Sequence, residues 1–96
     1  MPAPMTRAER IREALTPLTP TELTVVDDSA RHAGHAGASA EGETHFIVTV
    51  VSPMFEGRTR IERQRMVYTL VDAELRNGLH ALQLTTRAPG ELPRER

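Results

Sequence analysis

"THFIVTVVSPMFEGRTRIERQRMVYTLVDAELRNGLHALQLTT", Thr44 to Thr86, decides the fold. Its first nine residues read as a strand: Phe46, Val48 and Val50 are apolar at every second position, and β-branched residues fit a pleated surface. Ser52 and Pro53 end it. Thr59 and Glu62 then form a capping box, in which a hydroxyl and a carboxylate satisfy the first free amides of a helix. Ile61, Gln64, Tyr68, Val71 and Leu75 step by three and four, with Val67 and Leu70 widening the stripe, so a helix follows. Asn77 and Gly78 stop it, since glycine enters the left-handed cap region without a steric penalty. "LHALQLTT" is the last strand, with Leu82 and Leu84 on one face. A strand, a long helix and a strand imply parallel pairing through a right-handed crossover.

Upstream, Thr6 and Glu9 make another capping box. Ala8, Ile11, Leu15 and Leu18 continue as one apolar stripe until Pro17 and Pro20 break the helix. "ELTVVDDS", Glu22 to Ser29, alternates Leu23 and Val25 with polar neighbours and reads as a strand, antiparallel to the next. Residues 29–42 carry no helix or strand period. The order is helix, strand, strand, helix, strand: an α+β fold, a three-stranded mixed sheet with helices packed on one face. From Arg87 the chain has no periodicity. The expected division is an N-terminal extension over 1–5, one domain over 6–88 and a disordered tail over 89–96.

Composition narrows function. With 96 residues the chain builds a single modest core. It has no cysteine, hence no disulfide framework and no thiolate ligand of its own. No apolar run approaches a membrane span, and "MPAPMTRAER" lacks the apolar region of a secretory signal, so a cytoplasmic location is expected. The formal net charge of −1 gives no global field for nucleic acid, and all twelve basic residues are arginine. No nucleophile–base pair, phosphate cradle or carboxylate pair stands in a recognisable setting, so no enzyme is expected.

The four histidines carry the most chemistry. His32 and His35 lie in the Ala/Gly loop, His45 at the start of the second strand, His80 at the start of the third. Two parallel strands begin at the same end of a sheet, so the topology gathers all four there. No two have the spacing of a helical zinc motif. Arg58, Arg60, Arg63 and Arg65 form the one basic cluster. It reads either as a solvated face or as a patch for phosphates, without an interleaved aromatic to stack bases.

Taken together, "VVDDSARHAGH", "ETHFIVTVVSPMFEG", "RIERQRMVYTLVDAEL" and "GLHALQLTTRAP" resemble the BolA family, over roughly Thr6 to Pro89. The "THF" strand opening, the Phe55-x-Gly57 turn and "HAL" at His80 carry the resemblance. It implies a class II KH-like fold. It also implies pairing with a monothiol glutaredoxin and a shared [2Fe–2S] cluster. The partner supplies a cysteine and glutathione a thiolate. This chain supplies His80 and a loop group, His32 by motif position or His35 as the alternative. His45 is then a second-layer residue that orients another imidazole. Imidazole in place of thiolate raises a cluster's potential. The family also includes DNA-binding transcriptional regulators linked to stress, which is the alternative role and would use the Arg58–Arg65 segment. By itself the chain is expected to be a monomer or weak homodimer. Two departures stand out. Gln64 replaces the family's usual helix histidine, and there is no Gly-x-x-Gly clamp for a nucleotide backbone.

Overall fold

The computed structural model describes residues 5–28 and 44–91. Helix α1 spans Arg7–Ala14, strand β1 Glu22–Asp27, strand β2 His45–Val51, helix α2 Arg60–Leu70, helix α3 Asp72–Arg76 and strand β3 Ala81–Arg87. Short 3-10 turns at Thr16–Leu18 and Pro53–Phe55 follow α1 and β2.

The sheet has the order β1-β2-β3. β1 pairs antiparallel to β2, with Val25 opposite Val48, and β2 pairs parallel to β3, with His45 opposite Ala81. This is the α+β fold with a mixed three-stranded sheet that the alternation and the crossover predict. One sheet face is covered. Phe46, Val48 and Val50 are buried with Ile11 of α1, Leu15 just after it and Val67 of α2, in a core that also holds Leu18, Phe55, Val71, Leu79 and Ala88. On the other face Thr24, Val26, Gln83 and Thr85 are exposed.

Both capping boxes form. The Thr6 amide donates to Glu9 Oε1 at 2.8 Å and the Glu9 amide to Thr6 Oγ1 at 3.2 Å. At α2 the corresponding distances are 2.8 and 3.1 Å for Thr59 and Glu62. The alternation of β1 also holds, with Leu23 and Val25 packed against the core and Thr24 and Val26 outward.

Three expectations are corrected. The single long helix is two, because the chain leaves helical geometry at Val71 (φ −100°, ψ 14°) and restarts at Asp72. The restart brings Glu74 to α1. Its carboxylate accepts from Arg7 at 2.9 Å and from Arg10 Nε at 2.9 Å, while Arg7 also donates to the Asn77 carbonyl at 3.0 Å. The predicted apolar stripe is rotated. Val67 and Val71 are buried, whereas Ile61 and Tyr68 are 60% and 38% exposed. More than one series of apolar residues at helical spacing runs along this helix, and docking onto the sheet selects among them. Finally, the tail expected to be disordered from residue 89 begins with a turn. Ala88 is buried, its amide donates to Glu91 Oε1 at 2.9 Å, and the Glu91 amide returns to the Ala88 carbonyl at 3.1 Å. The Gly90 turn and a carboxylate four residues beyond β3 supply what periodicity does not signal. Residues 92–96 lie outside the described residues.

Ser52 is a joint that the sequence did not single out. It is fully buried, its hydroxyl donates to the Leu18 carbonyl and accepts from the Met54 amide, and its own amide donates to the Arg87 carbonyl. One short side chain thus ties the end of the α1 segment to the ends of β2 and β3.

Candidate functional site

The start of the parallel β2–β3 pair brings two of the predicted histidines together. The buried Thr44 carbonyl accepts from the His80 amide at 2.8 Å and the Ala81 amide at 3.1 Å, and so fixes the backbone on which the His80 side chain stands. Gly78, at φ +113°, makes the turn from α3 into that position, with Leu79 buried as an anchor. His80 is exposed and His45 half-buried, and their ring centroids are 6.4 Å apart with planes tilted by 59°. His45 Nδ1 is hydrogen-bonded to Thr44 Oγ1 at 2.8 Å. That contact orients the His45 ring and takes one of its two nitrogens, whereas His80 stands at the surface on a backbone-fixed position.

His32 and His35 lie outside the described residues, so of the four predicted histidines the structure brings together His45 and His80. Among the described residues there is no group of three potential metal-ligating side chains. The His80 and His45 pair alone is an incomplete donor set. Neutral imidazoles are nevertheless suitable ligands for iron whose other positions are filled by sulfur from elsewhere.

The four arginines of the basic cluster do not share one surface. Arg58, Arg60 and Arg63 line a cleft of about 340 Å³ between the start of α2 and the end of β3, together with Arg87 and Glu91. Arg65 lies apart, at an apolar groove of about 410 Å³ beside Leu18, Met54 and Leu70. Arg63 is committed inside the protein. Its two terminal nitrogens donate to the two Glu91 oxygens at 2.8 and 3.0 Å, its Nε donates to the Arg58 carbonyl at 3.0 Å, and its guanidinium stands 5.8 Å from the Phe55 ring centre. The Arg63 hydrogen bonds, with the Ala88 amide, lower the Glu91 carboxyl to about 2, and the same bond to Glu91 raises Arg63. Arg87 is held more loosely, 3.6 Å from Glu22 and 3.4 Å from the Glu91 carbonyl. Sequence reasoning missed Arg87 and Glu91. Arg63 and Glu91 are 28 residues apart, and no local pattern links them.

The fold and these two sites define a small α+β protein with a histidine pair at one end of a mixed sheet and an arginine-lined cleft at the other end of β3. The chain belongs to the BolA family, whose model, described as BolA-like protein, matches residues 11–91. It is 48% identical over 90 residues to the chloroplast protein BOLA1 of Arabidopsis thaliana, covering 91% of this chain and 56% of that one. It is 45% identical over 91 residues to the plant's SufE-like protein 1, covering 90% of this chain and 24% of that one. The chain thus spans about half of the first relative and a quarter of the second. The solved structures of BolA1 and of the BolA domain of SufE1 from the same plant both superpose with a TM-score of 0.80, at 43% and 44% identity, covering 94% of this chain and all of theirs. The DNA-binding transcriptional regulator BolA of Escherichia coli is 43% identical over 79 residues, covering 81% of this chain and 71% of that one.

Proposed function

We propose that this protein is the nitrogen-donating partner of a monothiol glutaredoxin, with which it shares a [2Fe–2S] cluster and glutathione in iron–sulfur trafficking or iron and redox regulation. The observation that carries the reading is the exposed His80, fixed by its backbone at the start of β3 with His45 6.4 Å away. His80 would be the ligand from this chain, with His32 or His35 from the loop completing its contribution. His45, tied to Thr44, would stand behind it as the second-layer residue. The cluster, when bound, supplies electron-transfer and iron-delivery chemistry. The chain's own residues present an imidazole at the surface without a large ordering cost. Cluster reconstituted on the glutaredoxin should change its visible circular dichroism when this protein is added, and the two proteins should co-elute. An unchanged spectrum with separate elution overturns the proposal.

A second reading, a DNA-binding regulator, has one observation in its favour beyond the name of the Escherichia coli relative. Arg58 and Arg60 are exposed, and among the described residues neither pairs with a carboxylate. Duplex binding through them would rest on phosphate contacts and be strongly salt-dependent.

A further inference from the structure

The arginine-lined cleft holds more positive charge than the fold consumes. Four guanidinium groups, Arg58, Arg60, Arg63 and Arg87, line the cleft with one carboxylate, Glu91, and Glu22 adds a 3.6 Å contact to Arg87, in a protein whose formal net charge is −1. Glu91 is saturated. Its two oxygens serve Arg63, and Oε1 also accepts from the Ala88 amide. Its lowered carboxyl stays ionised at neutral pH. The excess is therefore carried by Arg58 and Arg60, with Arg87 only partly compensated by Glu22 at 3.6 Å. Arg87 Nε is buried and has no hydrogen-bond partner. Its terminal nitrogens are held only loosely, 3.6 Å from Glu22 and 3.4 Å from the Glu91 carbonyl. Glu62 is occupied at the helix cap by the Thr59 amide, and Glu22 reaches Arg87 at only 3.6 Å.

We propose that this cleft binds a phosphate monoester, with Arg58, Arg60 and Arg87 holding the terminal phosphate and Glu91 acting as the fixed counter-charge on Arg63. Three guanidinium groups at the cleft offer more donors than a carboxylate's two oxygens use, and a phosphate presents three terminal oxygens. A volume of about 340 Å³ admits a ligand of small-molecule size. The inference does not depend on the cluster reading, because His80 precedes β3 and Arg87 ends it. It differs from duplex recognition, which needs contacts to several phosphates along a backbone.

The test is an amide-resolved NMR titration of the full chain with inorganic phosphate, adenosine 5′-monophosphate, adenosine and a blunt duplex without terminal phosphates. Phosphate and the monophosphate should give saturable shifts confined to residues 58–63 and 84–91, and adenosine none. A 5′-phosphorylated dinucleotide, run beside its unphosphorylated form, tells a nucleic-acid end from a free metabolite. The double variant R58A/R60A should weaken binding on the order of tenfold or more, as expected for lost charge-assisted hydrogen bonds. E91Q should tighten it, because it removes the cleft's carboxylate. An affinity that E91Q lowers or leaves unchanged makes Glu91 merely structural and overturns its assignment as the cleft's counter-charge. Far-ultraviolet dichroism checks that both variants fold. No saturable shift by about 10 mM phosphate or monophosphate overturns the proposal. So does binding of the duplex alone, or an affinity that neither variant changes.

Discussion

At the residue scale, His80 is held through its backbone from two sides. The His80 backbone is fixed by the Thr44 carbonyl and by buried Leu79 next to it. Presenting its imidazole therefore fixes little beyond its own side-chain rotamers. His32 and His35 are the candidates for the second nitrogen from this chain. They are three residues apart, so one can replace the other. On the proposed reading, His80→Ala is expected to abolish a cluster shared with the glutaredoxin, His32→Ala to weaken it, and His32→Ala with His35→Ala to weaken it further, while pairing without cluster survives. The measurement is cluster lifetime against an iron chelator. A wild-type lifetime in folded His80→Ala would move the ligand elsewhere. Arg63 illustrates the opposite outcome. In sequence it is one of four arginines open to phosphate, and in the fold its guanidinium is spent on Glu91, the Arg58 carbonyl and the Phe55 ring.

At the element scale, the segment from Arg60 to Leu79 works as a delivery arm for His80. Its start is fixed by the Thr59–Glu62 box and its middle by Val67 and Val71 in the core. Its end is fixed where Glu74 meets Arg7 and Arg10, and where the Leu79 amide donates to the Glu74 carbonyl at 3.0 Å. Gly78 is the vulnerable point. Its φ of +113° is a region that L side chains rarely adopt, and an added Cβ would sit 3.2 Å from an Arg7 guanidinium nitrogen. Gly78→Ala is expected to lower stability by roughly 1–3 kcal/mol, from backbone strain and a displaced Arg7–Glu74 contact. Thermal or denaturant unfolding reads this directly, and an unchanged midpoint would show that the arm tolerates another path. The capping boxes, both visible from their Thr-x-x-Glu spacing, needed no tertiary information because they act within one turn. The break at Val71 did need it, since no glycine or proline marks the place.

At the scale of the whole molecule, β3 joins two sites, with the histidine pair at its start and the arginine cleft at its end. The Arg63–Glu91 pair closes the second end by holding the turn after β3 against α2. Glu91's folded carboxyl lies below the ordinary 4.5, at about 2, so its contribution is complete above the ordinary value and is lost as pH falls between the two. The melting temperature of the wild type should therefore exceed that of Glu91→Gln at pH 7. The difference should shrink as the pH drops towards 2, and a gap that does not change with pH would rule out the ion pair as its source. The sequence by itself determined the element order, the strand alternation, both helix starts and the gathering of His45 and His80. These follow from short-range periodicity, local caps and the rule that strands joined by a helix run parallel. Only the tertiary structure decided which stripe of α2 is buried, where that helix breaks, that Arg65 leaves the basic cluster, and that Arg87 and Glu91 join it. Those outcomes depend on which faces meet when the helices dock on the sheet. Residues distant in the chain then become neighbours, and no local spacing encodes such a meeting.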